Sequence, residues 1–325
     1  MSQRSARSRS FGQLPAVTAL GGGHGLSASL TALRRLTDRL TAVVTVADDG
    51  GSSGRIRTEF GGLPPGDLRM ALAALCGDDH TGRLWADILQ TRFPGEGHLG
   101  GHAIGNLLIT GIWQRIGDPV QGLAMVGELL HSRGSVLPMS TDPLAIEADV
   151  MGLEPAQPDE TFTLAGQATI AKTTGQVLGV RLVPPDPPAC PEALAAIAES
   201  DYVVLGPGSW FTSVIPHLLV PDLYRAIVDT RARRILTLNI SPADETQGYS
   251  ASRHLELLAE HAPQLRLDWV IADRGFVDRD RHVRTYTESL GAELIVADVA
   301  MRDGTARHDP FRLASVFADV MHLTT

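Results

Sequence analysis

A chain of 325 residues with 37 acidic against 28 basic side chains carries a formal net charge of −9, which a general nucleic-acid or anionic-membrane binder would not have. Hydrophobic residues at 43% and charged residues at 20% are the balance of a globular protein able to bury a sizeable α/β core. Only two cysteines, Cys76 and Cys190, and no apolar run near the roughly 20 residues that cross a bilayer lead to the expectation of a cytoplasmic protein without disulfides, membrane insertion or nucleic-acid partner.

The head, MSQRSARSRSF, places Arg4, Arg7 and Arg9 among serines with no apolar stretch behind it, so residues 1–14 are expected to be a disordered basic tail. Residues 15–325 read as one α/β domain. Ala16–Leu20 is a short apolar strand that ends on three glycines. Leu26, Leu30, Leu33 and Leu36 then recur at helical spacing, and Thr41–Val46 is a β-branched buried strand. Strand, helix and strand within about thirty residues make a right-handed βαβ unit. Tyr202–Leu205, Ile235–Ile240, Trp269–Ala272 and Leu294–Ala297 repeat the strand pattern, and a last helix starts near Pro310. The expected fold is therefore α/β, a mostly parallel sheet with helices on both faces. From about 135 to 183 the chain is rich in Thr, Val and Gly, predicting a small β-rich excursion that the proline cluster Pro184–Pro191 closes.

The glycine turn GGGHGLSAS (Gly21–Ser29) joins a strand to a helix. Gly22, Gly23, His24 and Gly25 thus stand where backbone N–H groups and a helix N-terminus suit an anion. The dinucleotide fingerprint fails here, because its third glycine would fall at residue 26, which is Leu, so a dehydrogenase is a poor reading. The second cluster, ADDGGSSGR (Ala47–Arg55), follows the second strand. Its paired carboxylates, Asp48 and Asp49, suit Mg²⁺, a ribose or sugar hydroxyl, or a plain Asp-Gly turn. Ser52 and Ser53 with three glycines read as a flexible, donor-rich loop for phosphate oxygens.

Asp67 in PPGD can cap the next helix, with Arg69 in its first turn, either on a solvated face or in the site. In GGHAIGNLL, His102 and Asn106 are four residues apart and share a face if the segment is helical, suiting a hydroxyl or a base, or a buried histidine near a cap. LGPGSWFTSVIP repeats the strand–glycine–helix turn, with Gly208, Ser209 and Thr212 offering a second set of donors at the crevice of such a sheet. Arg307, in ARHD before the final helix, can clamp a diphosphate or form a surface ion pair.

Taken together, GGGHGLS, VTVADDGGSSGR, PPGDLR, GHAIGNLL, LGPGSWFTSVIPHLL and ARHDP come in the order that resembles the gluconeogenesis factor (YvcK-like) proteins, relatives of the 2-phospho-lactate transferase (CofD-like) enzymes. The resemblance runs from about Val17 to Leu313; its pattern usually has Thr where His24 stands. It implies that residues 15–325 are a single nucleotide-binding domain with a doubly wound, Rossmann-like core, binding of a UDP-sugar such as UDP-N-acetylglucosamine, and a regulatory role in cell shape and peptidoglycan supply through an unknown protein partner. On that reading the uracil and ribose lie near Asn106 and His102, and the diphosphate lies on Gly22–Gly25 and Gly208–Ser209 with Arg307. No cofactor is required. The alternative is a Mg²⁺-dependent transferase in which Asp48 and Asp49 hold the metal. A homodimer is the default assembly.

Overall fold

The structure, a computed structural model, describes residues 14–323 apart from 155, 243 and 279; the tail expected over residues 1–14 lies outside them except for Leu14. In chain order, β1 (Val17–Gly21), α1 (Gly23–Leu33) and β2 (Leu40–Val44) form the first βαβ unit. Five helices follow: α2 (Gly51–Phe60), α3 (Gly66–Leu75), α4 (His80–Gln90), α5 (Ile104–Ile116) and α6 (Pro119–Leu129). They lead to β3 (Ser135–Pro138). An excursion, β4 (Ala145–Met151), β5 (Thr161–Ala165), α7 (Gln167–Ile170) and β6 (Gln176–Val183), comes next. The second half runs α8 (Pro191–Glu199), β7 (Tyr202–Leu205), α9 (Pro221–Asp229), β8 (Arg233–Thr237), α10 (Ala251–His261), β9 (Trp269–Asp273), α11 (Arg274–Val277), α12 (Val283–Ser289), β10 (Glu293–Ala297) and α13 (Pro310–Val320).

Seven strands make one parallel sheet in the order β10-β9-β8-β7-β1-β2-β3. The chain steps outward from β1 to β3, returns to β7 on the other side of β1, and steps outward again. That reversal is the switch point of a doubly wound sheet, where the right-handed crossovers of the two halves cover opposite faces. Every residue of β1, β7 and β9 is buried, as a central strand covered on both sides requires. Helix α1 packs against α3 and α13, whereas α8 packs on α9 and α10 on α12. One continuous hydrophobic core joins both halves and the excursion.

The excursion is shorter than the composition implied. Ser135–Pro138 pairs in parallel with β2, Thr41 opposite Ser135, and so is the edge of the main sheet. Four residues are too few to show a period of their own, and Pro138 sits at the end of an edge strand, where a missing N–H does no harm. The separate antiparallel sheet, β5-β4-β6, begins only at Ala145. Among the described residues no helix is long and apolar enough to cross a membrane.

Candidate functional site

The two glycine turns flanking the switch point pack directly on each other. A Cβ at Gly25 would lie 2.5 Å from the carbonyl carbon of Pro207 and 2.7 Å from Gly208 Cα, so only glycine lets α1 approach the turn after β7. Four donors of that second turn are taken inside the protein. Gly208 N donates to Asn239 Oδ1 at 3.0 Å and Phe211 N to Glu245 Oε1 at 2.9 Å. Ser209 Oγ donates to the same Glu245 oxygen at 2.6 Å and receives the Thr212 hydroxyl at 2.5 Å. A carboxylate from the protein itself thus holds the place where the sequence left room for a diphosphate. The segment there is a π-turn, Trp210–Val214, running into a 3₁₀ turn, Ile215–Leu218, instead of the regular helix expected.

The open space lies one strand over, at the carboxyl end of β2. A cavity of about 270 Å³ is lined by Asp48, Gly50, Gly51, Ser52, Ser53, Gly66, Asp67, Arg69, Met70, Arg92 and Asn106. ADDGGSSGR is not a flexible loop: α2 starts at Gly51, which puts Ser52 and Ser53 in its first turn, both buried. Its N-cap, Gly50, has no side chain with which to satisfy the first N–H groups. The dipole of α2 therefore points its positive end at the cavity.

Asp67 does not cap α3. It lies inside the helix, whose N-cap is Pro65, and turns back to the first glycine turn, where it accepts hydrogen bonds from Gly23 N and from Thr45 Oγ1, the latter at 3.2 Å. Burial draws it there, and Gly22 makes room: a Cβ at that position would lie 2.5 Å from Asp67 Oδ2. Burial, and then the charge of Asp48, push the Asp67 carboxyl up to about 7. Burial also raises Asp48, against the pull of hydrogen bonds from Gly50 N and Ser53.

Asp49 faces elsewhere. Its Oδ1 accepts from Ala168 N at 2.9 Å, at the start of α7, and so ties the excursion to the loop after β2. The adjacent pair Asp48 and Asp49 is therefore split, and the carboxylates that meet across the cavity are Asp48 and Asp67.

Arg69 is 4% exposed, so the solvated-face reading falls. Its Nε donates to Asn106 Oδ1 at 2.8 Å and its Nη1 to Gln90 Oε1. Burial, then Arg92, lower its pKa to about 10. Asn106 Nδ2 donates to Ser52 Oγ at 2.9 Å, and Ser52 Oγ lies 3.0 Å from His102 Nδ1. His102 precedes α5 instead of sharing its face: Gly101 is left-handed at φ +75°, and His102 O accepts from Phe93 N. The two side chains still converge, on Ser52 Oγ. Each end of the Asn106 amide is already hydrogen bonded within the protein.

His24 projects from the first turn of α1 with an edge open to solvent. Burial, then Arg307 and Arg69, hold its pKa below the ordinary histidine value, which brings Arg307 into the neighbourhood of the site. The antiparallel bridge between Ala300 and His308 makes the small loop that carries Arg307, itself exposed. Sequence reasoning missed Arg92, Gln90 and Thr45. Arg92 sits in TRFPGEG, a segment without periodicity, and reaches the cavity only through its bridge to Ala103, with Nη1 on Gly101 O at 2.8 Å. Gln90 lies in no motif, and Thr45, although inside VTVADDGGSSGR, reads there as part of the buried strand.

With this geometry in view, the comparisons are specific. The family profile described as 2-phospho-L-lactate transferase CofD matches residues 17–308. The chain belongs to this family. Within it, the match to proteins named gluconeogenesis factor is extensive. That of Bacillus subtilis is 31% identical over 327 residues, spanning 96% of this chain and 99% of the relative. A Mycobacterium tuberculosis chain provisionally given the same name is 54% identical over 308 residues, spanning 94% and 90%. A crystal structure of a UPF0052-family protein from Bacillus halodurans superposes with a TM-score of 0.81 at 32% identity, covering 94% of this chain and 98% of that one. This CofD-family chain thus shares its doubly wound sheet with a solved relative over nearly its full length.

Proposed function

We propose that this chain is a cytoplasmic nucleotide-sugar-binding regulator that takes a UDP-sugar of the UDP-N-acetylglucosamine kind, without turnover. Its role would then be cell shape and peptidoglycan supply under gluconeogenic growth, exerted through a protein partner. The observation that carries the reading is the cavity itself. Two guanidinium groups, Arg69 and Arg92, line it together with the N-terminus of α2, whose cap residue has no side chain. Such a wall favours a phosphate-bearing ligand. The carboxylates of Asp48 and Asp67 offer acceptors for ribose or sugar hydroxyls. His24 feels the charges of both Arg307 and the cavity's Arg69. We place the diphosphate against α2 and Arg69 instead of against Gly208 and Ser209, because Gly208 N and the Ser209 hydroxyl already donate to Asn239 and Glu245.

One observation favours the Mg²⁺-dependent transferase as a second reading: the meeting of Asp48 and Asp67. Burial raises both carboxyls, and the charge of Asp48 raises Asp67 further, a setting that suits a divalent cation. Among the described residues no group of three or more His, Cys, Asp or Glu side chains could hold a metal. The pair fits only a cation that completes its shell with water and a bound phosphate.

Isothermal titration calorimetry with UDP-N-acetylglucosamine, UDP-glucose and GDP, each with and without Mg²⁺, separates the readings. Metal-independent binding of a UDP-sugar is the expected result. Binding that requires Mg²⁺ or prefers GDP would replace the regulator with the transferase, and no binding of any nucleotide would overturn both.

A further inference from the structure

The hydrogen-bond network on the cavity wall has a fixed polarity up to its last member. Arginine has only donors, so Arg69 Nε fixes the Asn106 amide with Oδ1 toward it. Asn106 Nδ2 must then donate to Ser52 Oγ. Between Ser52 Oγ and His102 Nδ1, 3.0 Å apart, either atom can supply the proton. If the ring nitrogen is bare, the Ser52 hydroxyl donates to it and only a lone pair of Oγ is left for the cavity, which repels an anion. If Nδ1 carries a proton, Ser52 accepts from both Asn106 and His102, and its own hydroxyl hydrogen is released toward the cavity. Ser52 and His102 are 4% and 6% exposed, so water does not blur the two states.

We propose that Ser52 and His102 form a proton-linked donor for a bound phosphate group: filling the cavity moves one proton from solvent to His102 Nδ1 and turns the Ser52 hydroxyl onto the ligand. The proposal rests on the phosphate-binding reading of the cavity, but not on which nucleoside or sugar the ligand bears. The charged groups facing the imidazole are Arg55 and Glu59 from α2 and Arg92 from the segment between α4 and α5. Burial, then Arg55, hold His102 below its ordinary pKa, with Arg92 adding to the effect and Glu59 opposing it. An anion seated on Arg92 and Ser52 offsets that positive field and raises the pKa of the bound form. Between the two values binding takes up a proton and tightens as pH falls, by up to about tenfold per pH unit; outside that window the slope vanishes.

The test uses the full chain and two probes that do not titrate near neutrality: UDP-N-acetylglucosamine, and inorganic sulfate as a bare tetrahedral dianion. Calorimetry from pH 6 to 8.5, in pairs of buffers with different ionisation enthalpies, reads the protons taken up. Nitrogen-15 spectra of the imidazole read where they go. The expected result is uptake approaching one proton per ligand. The His102 ring should change from a single Nε2–H to a doubly protonated form, and the uptake should be lost in His102→Gln. Ser52→Ala, which keeps the imidazole, should bind more weakly and with a flatter pH profile. Uptake retained in His102→Gln would assign the proton to Asp67 or His24 and overturn the proposal, as would a tautomer change without net uptake. Binding of sulfate with uptake, but not of the UDP-sugar, would sink the UDP-sugar reading and support the proton link. Binding of the UDP-sugar without uptake would do the reverse, and failure of both probes to bind would overturn both.

Discussion

Replacing Asp67 by Asn should stabilise the protein at neutral pH and leave it nearly unchanged in acid. The carboxyl is 9% exposed, faces Asp48, and has its pKa raised from 3.8 to about 7 by burial first and by that second charge next. The native state therefore holds the proton more tightly than the unfolded chain does. Stability is untouched below about pH 4, falls as pH rises from there to 7, and stays at the lower level above. A shift of about three units corresponds to roughly 4 kcal/mol at its full extent. Asparagine keeps an oxygen for Gly23 N and cannot ionise. Urea denaturation of the two proteins at pH 4, 5, 6, 7 and 8 measures the gain, which should grow steadily and level off near pH 8. A gain independent of pH, or none at pH 8, would refute the picture of a buried, repelled carboxylate. If the gain is found, ligand affinity of the same variant shows what the costly acid is kept for, since functional sites commonly hold such groups at the expense of stability.

Gly25→Ala should destabilise by about 1–3 kcal/mol or more, because its methyl meets the Pro207 and Gly208 backbone, whereas Gly111→Ala in α5, with nothing within 4 Å, should stabilise by up to about 1 kcal/mol in the same denaturation assay. Asp49→Ala should cost only about 0.5–1.5 kcal/mol, since the carboxylate is exposed, but should speed hydrogen exchange over Gln167–Ile170 by freeing Ala168 N. Arg69→Lys cannot reach both Asn106 and Gln90, so it should lower stability by roughly 1–3 kcal/mol and weaken UDP-sugar binding at least tenfold in calorimetry.

The strands were legible because a buried parallel strand is written in a few adjacent apolar, β-branched residues. Tyr202–Leu205 and the start of α13 at Pro310, where the Asp309 carboxylate accepts from Phe311 N at 2.9 Å, fall where the sequence puts them. Motif positions were legible too, since Asp48, Ser52, Ser53, Asp67, Arg69 and Asn106 all line one cavity. Orientation was not. Nothing in DDGG says that the first carboxylate turns to Asp67 and the second to Ala168, because the excursion that captures Asp49 comes more than a hundred residues later. The same holds for Glu245, whose capture of Ser209 and Phe211 depends on the loop after β8. Local pattern sets which groups are present; long-range packing sets which of them remain available.

That distinction explains why the open cavity is displaced from the switch point. In a dinucleotide fold of the same strand order, the crevice between the first strand and its returning neighbour receives the pyrophosphate. Here α1 and the turn after β7 close it, glycine against backbone, and Glu245 supplies the negative charge that the second turn would otherwise draw from a phosphate. The positive end of α2, left with a glycine cap, is the helix terminus beside β2 that the chain does not neutralise with a side chain of its cap residue. Arg69 and Arg92 converge on the same space, so the field that a switch-point crevice usually provides is rebuilt one strand away. The glycine-rich turn after the first strand packs against backbone, and on the proposed reading the anion-binding chemistry passes to the turn after the second.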